Sequence, residues 1–159
     1  MSREVVIAPQ AGVITPYWLA MRYSGVALER PGTQDHPLIQ WWLSLCGQPL
    51  DAHDEIPWCS AFASGMAWEC RLPRSKSLSA RSWLEVGTPI RLAAATPGYC
   101  VVILNRGGSP SPTATGPGHV GYFAGIEDQF VLLVGGNQGD KVCVSRFPAA
   151  DVLGVRNLL

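Results

Sequence analysis

The apolar pattern of this chain changes period near Pro97, and that change limits the folds open to it. Before it, apolar residues recur every three or four positions, the spacing of helix faces. After it, short runs rich in β-branched residues alternate with Gly- and Asn-containing turns, as antiparallel strands do. Helices followed by a strand meander predict an α+β fold, with N-terminal helices packed on an antiparallel β-sheet. At 159 residues, with no internal repeat and no linker, the chain reads as one domain.

Three helices and a shorter fourth are expected. Thr15 caps the first ahead of Pro16, with Ile14 and Leu19 placed as a hydrophobic staple and Gly25 as its stop. Asp35 caps the second, which runs from Leu38 to Cys46 and closes at Gly47. The third follows Pro57, with Trp58, Phe62, Met66 and Cys70 along one stripe and Cys59, Ala63 and Ala67 along a second. The small residues of that second stripe allow a sheet to approach closely. A short helix after Ser79 runs through Trp83 and Leu84 and stops at Gly87. Strands are expected over Tyr99–Leu104, His119–Ala124, Gln129–Val134, Lys141–Arg146 and Val152–Val155. Residues 1–14 read as an N-terminal extension, and 105–118, rich in Gly, Pro, Ser and Thr, as a flexible loop at the rim of a site.

Composition narrows the partners. A formal net charge of zero and only 15% charged residues give no electrostatic case for nucleic acid or an anionic membrane. No apolar run is long enough to span a bilayer, and the start lacks a signal peptide's apolar region. The expectation is a protein made in the cytoplasm. Five cysteines cannot all pair with one another, and none forms a C-x-x-C motif. The Asp51, His53 and Asp54 group matches no common metal-site spacing and reads as a solvated loop.

Cys59 is the candidate nucleophile. It falls in the first turn of the third helix, where open N–H groups and the positive end of the macrodipole acidify a thiol. His119, directly after Gly118 at a strand start, is placed to take the thiol proton, while Gly118 and Gly121 leave room for a substrate. The Gly135-Gly136-Asn137-Gln138 turn returns after a hairpin beside that strand. Asn137 is the first choice to hold the imidazole in one tautomer, with Gln138 and Asp140 as alternatives. Trp58, Gly118 and Gln138 are the expected substrate contacts.

Four segments, Pro57-Trp58-Cys59-Ser60-Ala61-Phe62, Ala80-Arg81-Ser82-Trp83-Leu84, Gly118-His119-Val120-Gly121 and Gly135-Gly136-Asn137-Gln138, follow one another in this order. In them the chain resembles the papain-like bacterial cell-wall hydrolases of CHAP (cysteine, histidine-dependent amidohydrolase/peptidase) and NlpC type, most closely a CHAP-like group of phage and bacterial proteins. The likeness covers about residues 16–156. It implies a papain-like fold and a peptidoglycan amidase or endopeptidase that works through a thioester acyl-enzyme. Cys59 would be nucleophile, His119 base and then acid, and Asn137 the orienting group, with the Cys59 N–H in the oxyanion hole. It implies no metal and no cofactor. One departure is Gly98-Tyr99, where such proteins often carry Gly-Asp.

A wall hydrolase made in the cytoplasm has to be delivered to its substrate, the peptide stems of peptidoglycan. That points to an antibacterial effector carried by a secretion system, with an immunity protein as partner, or to a phage lysis enzyme. Two other classes stay open: a cysteine hydrolase or acyltransferase acting on another amide or protein, and a non-catalytic binding module on the same fold.

Overall fold

The structure is a computed structural model that describes residues 13–25 and 35–159; most of the expected N-terminal extension lies outside them. Helices α1 (Pro16–Tyr23), α2 (Pro37–Ser44) and α3 (Cys59–Glu69) come first. Strands β1 (Thr88–Ile90), β2 (Cys100–Asn105), β3 (Gly118–Glu127), β4 (Phe130–Gly135), β5 (Cys143–Pro148) and β6 (Val152–Asn157) follow. They form one antiparallel sheet in the order β1-β6-β2-β3-β4-β5. The α+β reading therefore holds, and a meander is present from β2 to β5.

The last strand departs from the meander. β6 inserts between β1 and β2 instead of pairing with β5. Only residues 149–151 link β5 to β6. From Pro148 to Val152 the chain can span at most about 14 Å. In a flat sheet the three intervening strands would hold β5 and β6 about 19 Å apart. The sheet is therefore curled. A second apolar cluster covers the face away from the helices, drawing Val102 and Leu104 from β2, Phe123 from β3, Leu133 from β4 and Val155 from β6, with Phe147 and Ile90 against it.

On the opposite face, Val101, Ile103, Val120, Tyr122 and Val134 meet the helices. Here α3 is buried on every side from Cys59 to Ala67, so burial extends beyond the two expected stripes to Ser60, Ala61, Ser64 and Gly65 and the helix is central. Its small residues admit both neighbours. The Trp42 indole occupies the space a Cβ on Gly65 would need, and the Tyr122 hydroxyl donates to the Ala63 carbonyl at 2.7 Å.

Several local expectations shift. Thr15 does cap α1, accepting from the Trp18 N–H at 3.1 Å, but Ile14 is exposed and forms no staple. The cap of α2 is His36, whose Nδ1 accepts from the Leu38 N–H, while Asp35 turns to the loop before α3. There Asp35 accepts from the Asp54 N–H at 2.9 Å, and Asp54 in turn accepts from the His36 N–H at 2.8 Å. The expected solvated loop holds at Asp51 and His53, which are exposed, but it closes as a clasp on a buried Asp54. Residues 105–118 are irregular, as expected, and are anchored from one side chain. The buried Arg81 guanidinium donates to the carbonyls of Ser109, Ser111 and Pro117 and to Asn105 Oδ1, all within 3.1 Å.

Candidate active site

The site grows from the bare start of α3. Trp58 is the N-cap, with φ −119° and no side-chain cap bond, so no capping side chain stands between the first-turn N–H groups and Cys59. Trp58 itself has no exposed surface and stacks on Trp42 with 6.1 Å between ring centroids. It is core, not the substrate contact expected of it. Ser60 cannot cap the helix because its hydroxyl accepts from Trp83 Nε1 and donates to the Ser77 carbonyl. These bonds tie the Ala80-to-Leu84 segment to the helix start.

Cys59 is the first residue of α3 and is only 6% exposed. Backbone N–H groups of Val120, Ser60 and Cys59 itself are directed at its sulfur. Pairing of β3 with β4 begins only at Tyr122 and Val134, which leaves that flank of residues 118–121 open to the helix end. Even so, burial pushes the thiol above its ordinary range, against the pull of the three N–H groups and of the Arg106 charge. The expected acidic thiol is therefore overturned: position at a helix start favours a thiolate, but loss of water outweighs it.

His119 pairs with Leu104 of the second apolar cluster, one residue from Val120, and is 7% exposed. Its Nε2 lies 2.9 Å from Gln138 Oε1. The amide orientation is fixed by its other end, since Gln138 Nε2 donates to the Leu133 carbonyl at 3.2 Å and the Cys143 carbonyl at 2.7 Å. An amide oxygen can only accept, so His119 carries its proton on Nε2 and leaves Nδ1 as the basic nitrogen. Burial, above all, pushes the imidazole down to about 4; the Gln138 bond raises it and Arg106 lowers it further. At neutral pH the Cys59 thiol and the His119 imidazole are both uncharged.

The partner of His119 is thus Gln138 and not Asn137. Asn137 occupies the left-handed position of the turn at φ +55°, which Asn tolerates. That local fit is what its presence reports. Gly136 lets the turn dock on α3, because a Cβ there would lie 2.6 Å from both Phe62 Cβ and Trp58 Cζ3. Space at Gly135 is taken by the Gln138 amide, at Gly121 by Leu133 Cβ and the Val134 carbonyl, and at Gly118 by the Leu104 carbonyl and Arg81. These glycines make room for protein atoms, so Gly118 is not a substrate contact by virtue of openness. Asp140, the other alternative, is exposed in the turn.

A pocket of about 150 Å³ opens beside the imidazole, lined by Arg106, His119, Asn137, Gln138, Ser145 and Phe147. Cys59 does not line it. Arg106 and Phe147 were not apparent from motif spacing; the signal for Arg106 is its place just past Leu104, which pairs with His119. Among the described residues no cluster of His, Cys, Asp or Glu is arranged to hold a metal ion, and no helix is long and apolar enough to cross a membrane. No protein-family model matches the chain, and no curated protein does either.

A neutral, buried thiol has a direct consequence. With iodoacetamide at pH 7.5, the half-buried Cys70 and Cys143 are expected to be alkylated before Cys59, as timed peptide mapping would read. Labelling of Cys59 first would mean that its resting form is the thiolate.

Proposed function

We propose that this chain is a papain-like cysteine hydrolase of CHAP or NlpC type that cleaves an amide bond in peptidoglycan, as an amidase or endopeptidase. One observation carries the reading: a histidine oriented through Nε2 by a fixed amide oxygen, in the residue next to the N–H that meets a helix-start cysteine. In this reading His119 Nδ1 takes the Cys59 proton as sulfur attacks the substrate carbonyl, since a neutral pair has no stored thiolate. The negative oxygen that forms is stabilised by the N–H groups at the start of α3. His119 then gives the proton to the leaving amine, and water releases the acyl group from sulfur by the reverse sequence. Gln138 positions the imidazole throughout. No step requires a metal or cofactor.

The site of action in this proposal is the cell wall, reached from the cytoplasm through a secretion system or in phage lysis, with an immunity protein as partner if the chain is an effector. A non-catalytic module is the second reading, favoured by the burial of Cys59 away from the pocket. Digestion of purified peptidoglycan separates the two. Wild type is expected to release muropeptides whose masses identify the bond, and Cys59→Ala to lose at least about 10⁴-fold in rate. If folded wild type cuts no wall type, or the variant cuts as well, the hydrolase reading falls.

A further inference from the structure

We infer that Arg106 and the pocket it shares with His119 bind a free carboxylate of the substrate, close to the amide under attack; this deepens the hydrolase reading and rests on it in treating the pocket as the substrate's. The guanidinium is exposed and lies over Phe147, its central carbon 5.8 Å from the ring centroid. It has no hydrogen-bond partner among the described residues, so its donors are uncommitted, unlike those of Arg81, while the side chain lines the pocket. Phe147 is also the neighbour of the His119 ring, 5.2 Å between centroids, so one aromatic wall carries the cation and the base side by side. The Arg106 charge reaches both His119 and Cys59.

The other walls of the pocket are uncharged. His119 is neutral, the Gln138 amide is committed to its three partners, and Asn137 and Ser145 bring only neutral polar groups. A pocket with one positive charge and about 150 Å³ fits one singly charged group on a small residue. Its single positive charge matches one carboxylate and leaves a phosphate, with a charge near −2, only partly neutralised. Arginine matches a carboxylate through two parallel N–H bonds, which also fixes the angle at which the neighbouring amide is presented.

The test uses Cys59→Ala, which binds without cutting, titrated calorimetrically with alanyl-γ-glutamyl-lysine carrying either a free or an amidated glutamyl α-carboxylate. The free acid is expected to bind on the order of tenfold or more tighter. Arg106→Gln in the same background is expected to erase that difference, and Arg106→Lys to keep part of it as a point charge. Equal binding of both peptides, binding of neither, or a preference that survives Arg106→Gln overturns the carboxylate site. Parallel assays of cleavage by wild type keep the two readings apart. Preferential binding without cleavage upholds the carboxylate site while the hydrolase fails; cleavage of both peptides with equal kcat/KM does the reverse.

Discussion

Replacing Arg81 with alanine is expected to cost about 3–5 kcal/mol of folding stability and to release residues 105–118 to proteases. The guanidinium has no exposed surface, yet every acceptor it meets is neutral: three backbone carbonyls and the Asn105 side chain. Burying a charge without a counter-charge costs several kcal/mol. Four charge-assisted bonds of roughly 1.5–3 kcal/mol each exceed that cost, so the net effect is stabilising. Asn105 extends the clamp, since its Oδ1 also accepts from the Gly108 N–H and its Nδ2 donates to the Gly108 carbonyl. Glycines at 108, 116 and 118 let the loop close onto the side chain, each with no more than 3.5 Å between an added Cβ and an Arg81 atom. Arg81→Lys is expected to recover less than half of the loss, because one ammonium cannot reach four acceptors spread along the loop. Urea unfolding and limited proteolysis read both effects. A lysine variant as stable and as protected as wild type would show that charge alone, not the planar donor set, holds the loop.

That loop marks where sequence reasoning stopped. Gly, Pro, Ser and Thr over 105–118 correctly indicated an irregular segment, but the ordering group lies far upstream in Arg81, and no local pattern reports a bond between them. The same limit applies to β6. Its strand character was legible from Val152 to Val155; its place between β1 and β2 was not, since the curl of the sheet sets it. β1 escaped notice because it has three residues, one of them Pro89, and exists only as an edge on β6. By contrast α1, α2 and the run from β2 to β5 were legible because period and punctuation agree there.

At the site, sequence carried the placement of Cys59 at a helix start and of His119 at a strand start. It did not separate Asn137 from Gln138, which are adjacent in one turn. Backbone conformation decides: the left-handed position goes to Asn137, and the next residue reaches back between Gly121 and Gly135 to the imidazole. Nor could spacing weigh burial against the helix end in setting the thiol. That balance depends on how completely the sheet and helices exclude water.

The same exclusion of water predicts an acid weakness centred on His119. In the unfolded chain its imidazole takes a proton near pH 6.5, whereas in the fold it stays neutral down to about 4. A group whose folded value is lowered in this way contributes no penalty above pH 6.5. Below it, only the unfolded state gains a proton, so stability falls as pH drops and the loss is complete once the folded value is passed. The interval corresponds to roughly 3 kcal/mol. His119→Gln cannot titrate there, so its stability is expected to decline less by that amount between pH 7 and pH 4, as urea unfolding at the two values would show. Carboxylates and the other two histidines are common to both proteins and cancel in the difference. Equal declines would mean that His119 is already protonated in the fold near pH 6.5, and the neutral resting pair, with its Nδ1 base, would fall with it.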